Sequence, residues 1–262
     1  MLTQETVLAA AADAGLTPCS IVVRRLDSGE GPDISIEPQR YLYPASMLKV
    51  PLALATLALV QSGDLRLDQP FEVTHANMTA NDKPSPMVPG YAAPLREIVE
   101  LAITISDNVA TNMLYDIVGR ERATAIVQQR FGLTTTSFAR KLSGSEPLIH
   151  DAEWDGERRN RHNAGDAARL YELIARDRVP FAHLLRETLA RQQFNNKLSA
   201  GLLPGDRFAH KTGDTDEVTH DGGILDTFLG ASYAIVVYAG LEATDSNNAR
   251  FGPFMNQIRA LL

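Results

Sequence analysis

The sequence predicts an α+β fold in which both ends of the chain contribute strands to one sheet and the middle of the chain forms a helical lobe. Three observations support this prediction. Strand-like segments rich in β-branched residues lie near the N-terminus, similar segments return after residue 206, and the segments between them have the apolar spacing of packed helices. A chain of 262 residues with 44% apolar content can bury a substantial core. The predicted domains are a sheet-containing lobe, residues 1–45 with 206–262, and a helical lobe, residues 46–205, with the functional site between them.

The elements can be assigned in order along the chain. A first helix ends at Gly15, and two strand-like runs, 20–27 and 33–37, flank a Gly-containing turn and predict a β-hairpin. A Leu- and Ala-rich helix follows at 47–61. Further helices are indicated by apolar spacing and by stop signals such as Gly119: 95–105, 108–118, 120–131, 164–175, 179–193 and 251–262. The remaining strand-like runs are 207–212, 222–228 and 233–238. Two stretches without a clear period are predicted to be mostly loop: 70–94 and 133–163.

The net charge of −7 is spread along the chain, which is typical of a solvated acidic surface and argues against a nucleic-acid or polybasic membrane partner. No apolar run approaches the roughly 18 residues that a membrane span needs, so no membrane span is predicted. The N-terminal segment has Glu5 where a signal peptide carries positive charge. Either the protein remains in the cytoplasm or a signal peptide has been removed, and the sequence leaves the localisation open.

Cysteine and histidine give no sign of a metal centre. The single cysteine, Cys19, cannot form an intramolecular disulfide and is expected to be a small core residue. The six histidines show no His-Glu-x-x-His or paired-ligand spacing, so neither a metal nor a cofactor is expected. His220 and Asp221 are adjacent and suggest a Ser/His/Asp triad. A triad is defined by geometry, however, and the sequence neither supports nor excludes it.

Ser46 and Lys49 form the first candidate for catalysis. They are three residues apart at the start of a predicted helix, so the Lys49 amine can lie beside the Ser46 hydroxyl on one helix face. A serine hydroxyl needs a base to take its proton, and a lysine serves once desolvation or neighbouring cations lower its pKa. Lys49 stands in an apolar helix, where a charge needs a partner or a purpose. A Ser-x-x-Lys pair alone also arises by chance.

The second candidate is Ser106-Asp107-Asn108, where one predicted helix ends and the next begins. Its hydroxyl and amide can contact a substrate and pass a proton to a leaving nitrogen. Helix capping explains the same residues, because Ser, Asp and Asn are preferred N-cap residues. Taken alone, these three residues favour helix capping over a role in catalysis.

The third candidate is Lys211-Thr212-Gly213, at the end of a strand-like run. The lysine and the hydroxyl can bind a substrate carboxylate, and the glycine lets a substrate backbone approach closely. An edge strand that ends in a turn with a solvated lysine explains the same residues. Asp214 follows directly and places an acid next to this predicted carboxylate site.

In this order, the three motifs resemble the signature of class A β-lactamases and penicillin-binding proteins. Their separations and the strand–helical lobe–strand order are also similar to those of class A enzymes, so the resemblance covers essentially the whole chain. It implies an α/β/α sandwich with a mostly antiparallel five-stranded sheet. It also implies a monomer without a cofactor that acts on a small molecule, a β-lactam or a D-Ala-D-Ala-like compound. Members of the family are usually periplasmic or secreted.

The resemblance further predicts a glutamate on the long loop, in a Glu-x-x-Leu-Asn setting. Glu146 fits the glutamate, and His150 stands where the family has asparagine and is expected to contact the substrate. A carboxylate held there can activate the water that releases an acyl group. The alternative is that Glu146 is one of several solvated acids of the loop. The family register also predicts a cis bond between Glu146 and Pro147, which proline makes accessible.

The residue roles that the resemblance implies are those of a serine hydrolase. Ser46 is acylated, Lys49 or Glu146 takes its proton, Ser106 passes a proton to the leaving nitrogen, and Glu146 activates water. The implied substrate-binding residues are Asn108, His150, Lys211, Thr212, Gly213 and Asp214. The family usually has a small residue where this chain has Asp214, so binding of a carboxylate there is expected to be weakened or redirected.

Two other functions fit the same motifs. One is a D-Ala-D-Ala carboxypeptidase or a small-ester hydrolase, because peptides, lactams and esters all suit an activated serine. The other is a penicillin-binding sensor that is acylated without turnover. Glu146 is the residue that separates an enzyme with turnover from such a sensor.

Overall fold

The computed structural model describes residues 2–27, 30–143 and 151–262. The predictions for Glu146, for the Glu146–Pro147 bond and for His150 therefore lie outside the described residues. The chain divides into a sheet unit, Met1–Met47 with His162–Arg178 and Ala182–Leu262, and a helical unit, Leu48–Arg161 with Val179–Phe181.

The helices and strands have the following bounds. The helices are α1 Gln4–Asp13, α2 Lys49–Gln61, α3 Leu95–Thr104, α4 Asn108–Val118, α5 Arg120–Ala125, α6 Ala164–Ala175, α7 Ala182–Ala190, α8 Asp245–Asn248 and α9 Phe251–Leu261. The strands are β1 Cys19–Arg25, β2 Asp33–Ile36, β3 Pro70–Glu72, β4 Ala92–Pro94, β5 Arg207–Asp214, β6 Thr219–Asp226 and β7 Ser232–Ala239. Short 3₁₀ turns span Ala45–Leu48, His75–Asn77 and Leu198–Gly201.

Within the described residues, the sheet unit contains one five-stranded antiparallel sheet in the order β2-β1-β7-β6-β5. The prediction that both ends of the chain build one sheet is confirmed. Alternate residues of each strand, such as Ile21 and Val237, face a core that is completed by apolar residues of α1 and α9. Because β5 lies at the edge of the sheet, one side of the Lys-Thr-Gly strand has no neighbouring strand.

Helices α6 and α7 belong to the sheet unit, whereas the sequence placed them in a helical lobe that ran from 46 to 205. They belong there because their apolar faces pack on the sheet. Helix α6 packs on β1, β6 and β7, and α7 packs on β5. Asn163 fixes the start of α6, because its side chain accepts a hydrogen bond from the N–H of Asp166 at 2.8 Å.

The helical unit is built around α2, whose residues from Lys49 to Leu59 are all buried. A helix that is apolar on every side is typical of the core of a protein. Helices α3 and α4 pack against it, and after α5 the chain widens into a π-helical turn at Ile126–Arg130. None of the helices in the described part of the chain is long and apolar enough to cross a membrane.

Two predictions about local structure need correction. The stretch 70–94 was predicted to be mostly loop, and it contains the paired strands β3 and β4. Their terminal residues Pro70 and Pro94 lie opposite each other. Proline is tolerated at strand ends and edges, so three-residue strands of this kind leave no clear pattern in the sequence. Strand β6 begins at Thr219 rather than near 222, because its polar first residues pair with β5 and β7.

Candidate active site

Lys49 is fully buried in the helical unit, and its amine contacts both outer residues of the Ser-Asp-Asn motif. The Nζ atom donates to the backbone oxygen of Ser106, to Ser106 Oγ at 3.1 Å and to Asn108 Oδ1 at 2.7 Å. An ammonium group has three donors, and all three find acceptors here. The buried charge therefore has partners, and these are the residues that the motif analysis selected.

In the Ser-Asp-Asn motif, the middle residue caps a helix and the two outer residues contact Lys49. Asp107 caps α4, since its Oδ1 accepts from the N–H of Ala110 at 2.8 Å. Ser106 has a φ of +56°, a left-handed conformation that costs a non-glycine residue on the order of 1 kcal/mol. In this turn, the carbonyl oxygen and the hydroxyl of Ser106 both accept hydrogen bonds from Lys49 Nζ.

Two further contacts fix Asn108 at the start of α4. Its Nδ2 donates to the backbone oxygen of Ala80 at 2.8 Å, and its N–H donates to Asn81 Oδ1 at 2.6 Å. With Nδ2 committed to Ala80, the Oδ1 atom is turned towards Lys49. The sequence carries no signal for this role of Asn81, because an asparagine among prolines and glycines also fits an ordinary turn.

Asn112 lies one helical turn after Asn108 and holds the start of the long loop. Its Oδ1 accepts from the N–H of Leu142 at 2.8 Å, and its Nδ2 donates to the oxygen of Leu142 at 2.9 Å. At the other end of segment 144–150, Asp151 accepts from the N–H of Lys141 at 2.8 Å and pairs with Arg120. Both flanks of the segment that contains Glu146 are thus fixed on the helical unit.

We expect Asn112→Ala to slow the release of an acyl group more than its formation. The substitution removes both hydrogen bonds to Leu142 and loosens one end of the segment that carries Glu146. A fall of about 10- to 100-fold in deacylation, with acylation changed less than threefold, is the expected size for a displaced general base. Pre-steady-state kinetics with a chromogenic cephalosporin measures both steps. An equal loss in both would mean that Asn112 supports the Lys49 contacts instead.

In the sheet unit, Ser46 lies in the 3₁₀ turn Ala45–Leu48, which leads directly into α2. The residue before it, Ala45, has a φ of +48°. This turn packs on Gly213 of the Lys-Thr-Gly strand. A Cβ at Gly213 would lie 3.1 Å from the oxygen of Pro44 and from Met47 Cγ. A side chain at Gly213 would therefore press on the segment that carries Ser46, a constraint separate from the predicted approach of a substrate.

Lys211 is fully buried, so the interpretation of a solvated lysine on an edge strand is wrong. Its Nζ donates to the backbone oxygen of Thr212 at 2.9 Å. Since side chains alternate along a strand, Lys211 and Gly213 face the side on which Met47 packs, and Thr212 and Asp214 face the other side.

Asp214 forms an ion pair with Lys197, which precedes the 3₁₀ turn Leu198–Gly201. The Oδ1 atom of Asp214 also lies 3.0 Å from Thr219 Oγ1. Lys197 is fully buried, whereas the Asp214 side chain is 38% exposed. The acid that departs from the family pattern thus has a cationic partner, which the sequence did not indicate.

His220 does not pair with Asp221. Its Nε2 lies 2.8 Å from the backbone oxygen of Tyr43, which only a donor N–H fits, and its Nδ1 accepts from the N–H of Ala239 at 3.2 Å. The ring stacks on Tyr238 at 4.1 Å between centroids. Both ring nitrogens are satisfied in the neutral form, and burial lowers the pKa of His220 to about 4.

The geometry of a Ser/His/Asp triad occurs instead at Ser199, His210 and Asp221. His210 Nδ1 lies 2.7 Å from Asp221 Oδ1, and Nε2 lies 3.1 Å from Ser199 Oγ. However, Nε2 also lies 3.0 Å from Asn195 Oδ1, whose amide is oriented by its bond to Gln192 O at 2.9 Å. Nε2 is therefore shared between Ser199 and Asn195 Oδ1, and whenever it carries a proton towards Asn195 it cannot take the Ser199 proton. We interpret this cluster as a structural network and not as a nucleophilic site.

The stability of the protein is expected to fall between pH 6.5 and pH 4. Burial lowers the pKa of His162 and of His220 from 6.5 to about 4, so in this range the unfolded state binds more protons than the folded one. Stability is then lost as the pH falls, by up to about 3 kcal/mol per histidine. Urea unfolding at a series of pH values measures the slope. We expect a shallower slope for His220→Gln, with the exposed His183→Gln as a control for losing a histidine. If the free energy of unfolding falls with pH equally steeply in wild type and His220→Gln, His220 does not contribute to the loss of stability.

Across residues 2–27, 30–143 and 151–262, no cluster of three His, Cys, Asp or Glu side chains is arranged to hold a metal ion. The structure brings the predicted residues together as two groups. One consists of Lys49, Ser106 and Asn108 in the helical unit. The other consists of Gly213 and the Ser46-bearing turn in the sheet unit.

The fold is that of class A β-lactamases. A β-lactamase from Sphaerobacter thermophilus superposes with a TM-score of 0.83 at 23% identity, covering 99% of this chain and 98% of the other. An ancestral class A β-lactamase gives 0.84 at 23% identity and covers 99% of both chains. The penicillin-binding protein PBP-A gives 0.83 at 22% identity, with 98% of this chain and 95% of that chain covered.

The model of the β-lactamase enzyme family matches residues 3–259, and the chain belongs to this family. Family and fold together define a hydrolase of the β-lactamase kind. The extended-spectrum β-lactamase PER-1 of Pseudomonas aeruginosa is 24% identical over 239 residues, 84% of this chain and 76% of that protein. The β-lactamase regulatory protein BlaB of Streptomyces cacaoi is 33% identical over 138 residues, which are 49% of this chain and 42% of BlaB. The matched part is thus less than half of BlaB.

Proposed function

We propose that this protein is a serine β-lactamase that opens β-lactam rings through an acyl-enzyme on Ser46. One observation carries the proposal. A fully buried lysine, three residues after Ser46 in one continuous helical segment, contacts Ser106 and Asn108 through hydrogen bonds. Burial of a lysine is costly unless the charge is paired, and here the partners are residues suited to proton transfer and substrate contact.

In the proposed acylation step, Ser46 Oγ attacks the lactam carbonyl carbon. Its proton passes to Lys49, which accepts it as the neutral amine after giving up one of its three donated protons, or through a water molecule to Glu146, and the C–N bond of the lactam breaks. Ser106 Oγ, 3.1 Å from Lys49 Nζ, delivers its proton to the leaving nitrogen and receives a proton from Lys49 in return. The substrate carboxylate binds at Lys211 and Thr212. Backbone N–H groups of Ser46 and Asp214 stabilise the oxyanion.

In the proposed deacylation step, Glu146 takes a proton from a water molecule that attacks the ester carbonyl of the acylated Ser46. The ester bond breaks and Ser46 Oγ regains its proton. The anchors at Leu142 and Asp151 support this role. Asn112 of α4 holds Leu142, and Lys141 and Arg120 hold Asp151, on either side of the segment that contains Glu146. In this proposal, His150 and Asn108 contact the substrate.

A second candidate is a penicillin-binding sensor that is acylated and stays so. The similarity to the regulatory protein BlaB favours it. The same Ser46 chemistry forms the acyl-enzyme in both cases, so the candidates differ only in the rate of release. A D-Ala-D-Ala carboxypeptidase or esterase on this scaffold is the remaining alternative.

A pair of measurements separates these functions. The purified protein is assayed with a chromogenic cephalosporin, and its intact mass is recorded after brief exposure to benzylpenicillin. Turnover without a lasting adduct supports the β-lactamase. A stable adduct without turnover supports the sensor if the protein does not cleave a D-Ala-D-Ala peptide, and supports the peptidase if it does. Peptide mapping should locate any adduct on Ser46. Ser199→Ala, which removes the serine that contacts His210, is the matched control and should leave the adduct in place.

A further inference from the structure

Asp214 carries a negative charge at the end of β5, directly after the Lys-Thr-Gly motif. It shares a strand face with Thr212, and alternate residues of a strand lie about 7 Å apart. At this separation, an uncompensated carboxylate would repel a substrate carboxylate bound at Thr212 strongly enough to weaken binding roughly five- to tenfold.

Lys197 compensates this charge. Its Nζ pairs with Asp214 Oδ1, and it also contacts the backbone oxygens of His220 at 3.0 Å and Gly213 at 3.5 Å. The amine lies 5.6 Å from the ring centre of Phe251. Burial lowers the pKa of Lys197, and the neighbouring Asp214 opposes this shift.

The two partners differ in their freedom to interact with other groups. Lys197 is fully buried, and its three donors face three acceptors, so it is committed to the strand end. Asp214 keeps 38% of its side chain exposed and stays on the face of the strand that Thr212 shares. A bound substrate could therefore contact Asp214 directly, whereas Lys197 would act on it only through electrostatic interaction.

We propose that Lys197 and Asp214 act as one specificity-determining pair, in which Lys197 cancels the charge of Asp214 so that the Lys-Thr-Gly strand can still accept anionic substrates. This inference rests on the proposed function, because it takes the substrate carboxylate to bind at Lys211 and Thr212. Loss of Lys197 disfavours anionic substrates. Loss of the Asp214 charge favours them, and loss of both restores the original preference.

The test uses two thioesters that differ only in charge. One is phenylacetylglycyl thioglycolate, which ends in a carboxylate, and the other is its counterpart with a terminal carboxamide. The measured quantity is the KM of the anionic thioester divided by that of the neutral one. We expect this ratio to rise five- to tenfold in Lys197→Met and to fall by a similar factor in Asp214→Asn. In the double variant it should return to within about twofold of the wild-type ratio.

Asp206→Asn is the matched control. Asp206 forms a buried pair with Arg259 at the other end of β5, so this variant also removes a charge from a buried pair, and its ratio should match wild type. Equal changes in both KM values, or a double variant that fails to restore the ratio, would overturn the inference. If Asp214→Asn does not fold, an unchanged ratio in Lys197→Met overturns it alone. Thioester cleavage without β-lactam turnover would contradict the proposed function. The ratio of the two KM values would still decide whether Lys197 and Asp214 determine specificity.

Discussion

Replacing Ser46 by alanine is expected to remove β-lactam turnover, by about 10⁴-fold or more, while the fold is kept. The substitution removes the atom that forms the acyl bond. Lys49→Ala should cause a comparable loss, because the hydroxyl then lacks the amine that lies three residues along the same helical segment. Groups that act as a unit give losses that do not add, so the double variant should be no slower than the worse single variant. Steady-state kinetics with a chromogenic cephalosporin measures all three.

Two controls sharpen this prediction. Ser199→Ala removes a serine that contacts His210 and should retain turnover, since the Nε2 of His210 also faces Asn195. Lys49→Arg keeps a positive charge but cannot give up its proton, so it should remain inactive if Lys49 is a base. Near-normal turnover in Ser46→Ala would show that the nucleophile is assigned incorrectly. Thermal unfolding of each variant separates lost chemistry from lost structure.

Replacing Glu146 by alanine is expected to leave acylation possible and to slow release by about 10²- to 10⁴-fold, the range for loss of a general base. The acyl group then stays on Ser46, so a penicilloyl adduct should accumulate in the intact mass after exposure to benzylpenicillin. Quench times from seconds to hours give the rate of release. The predicted cis bond at Glu146–Pro147 belongs to the same segment and can be checked in a crystal structure of that loop.

Glu153→Ala is the matched control for Glu146. Glu153 lies on the same loop, is 73% exposed and lies 3.8 Å from Arg120, so its removal should leave release unchanged. Slow release in Glu153→Ala but not in Glu146→Ala would move the general base to Glu153. A wild-type adduct as long-lived as that of Glu146→Ala would favour the sensor. Equal loss of acylation and release would make Glu146 the base for both steps.

Local signals in the sequence were sufficient to predict the helices of the site. Helix α4 begins and ends where predicted, because Asp107 is a strong N-cap and Gly119 takes a φ of +80° after its last residue. The Leu- and Ala-rich composition also predicted a helix at 47–61, and the structure has α2 at Lys49–Gln61 with Lys49 as its first residue. Its 3₁₀ turn at Ala45–Leu48 was not predicted, since the two helix types share similar sequence preferences.

Contacts between distant residues could not be predicted in the same way. The adjacent pair His220 and Asp221 suggested a triad, yet adjacent residues of a strand point to opposite faces. Only the register of β5 on β6 brings His210 and Asp221 onto one face. The pairing of Lys197 with Asp214 likewise depends on where the 3₁₀ turn packs against the strand end, and no sequence pattern encodes that.

The unequal burial of Lys197 and Asp214 has a consequence for the order in which such a pair can arise in evolution. A lineage that acquires the aspartate first carries a carboxylate that is 38% exposed and can still be hydrated, which protein stability tolerates. A lineage that acquires the lysine first carries a fully buried cation without its counter-charge, at a cost of about 3–5 kcal/mol. The accessible path therefore gains Asp214 before Lys197 and loses Lys197 before Asp214. Among relatives, a lone aspartate at this position should outnumber a lone lysine, and the two positions should vary together.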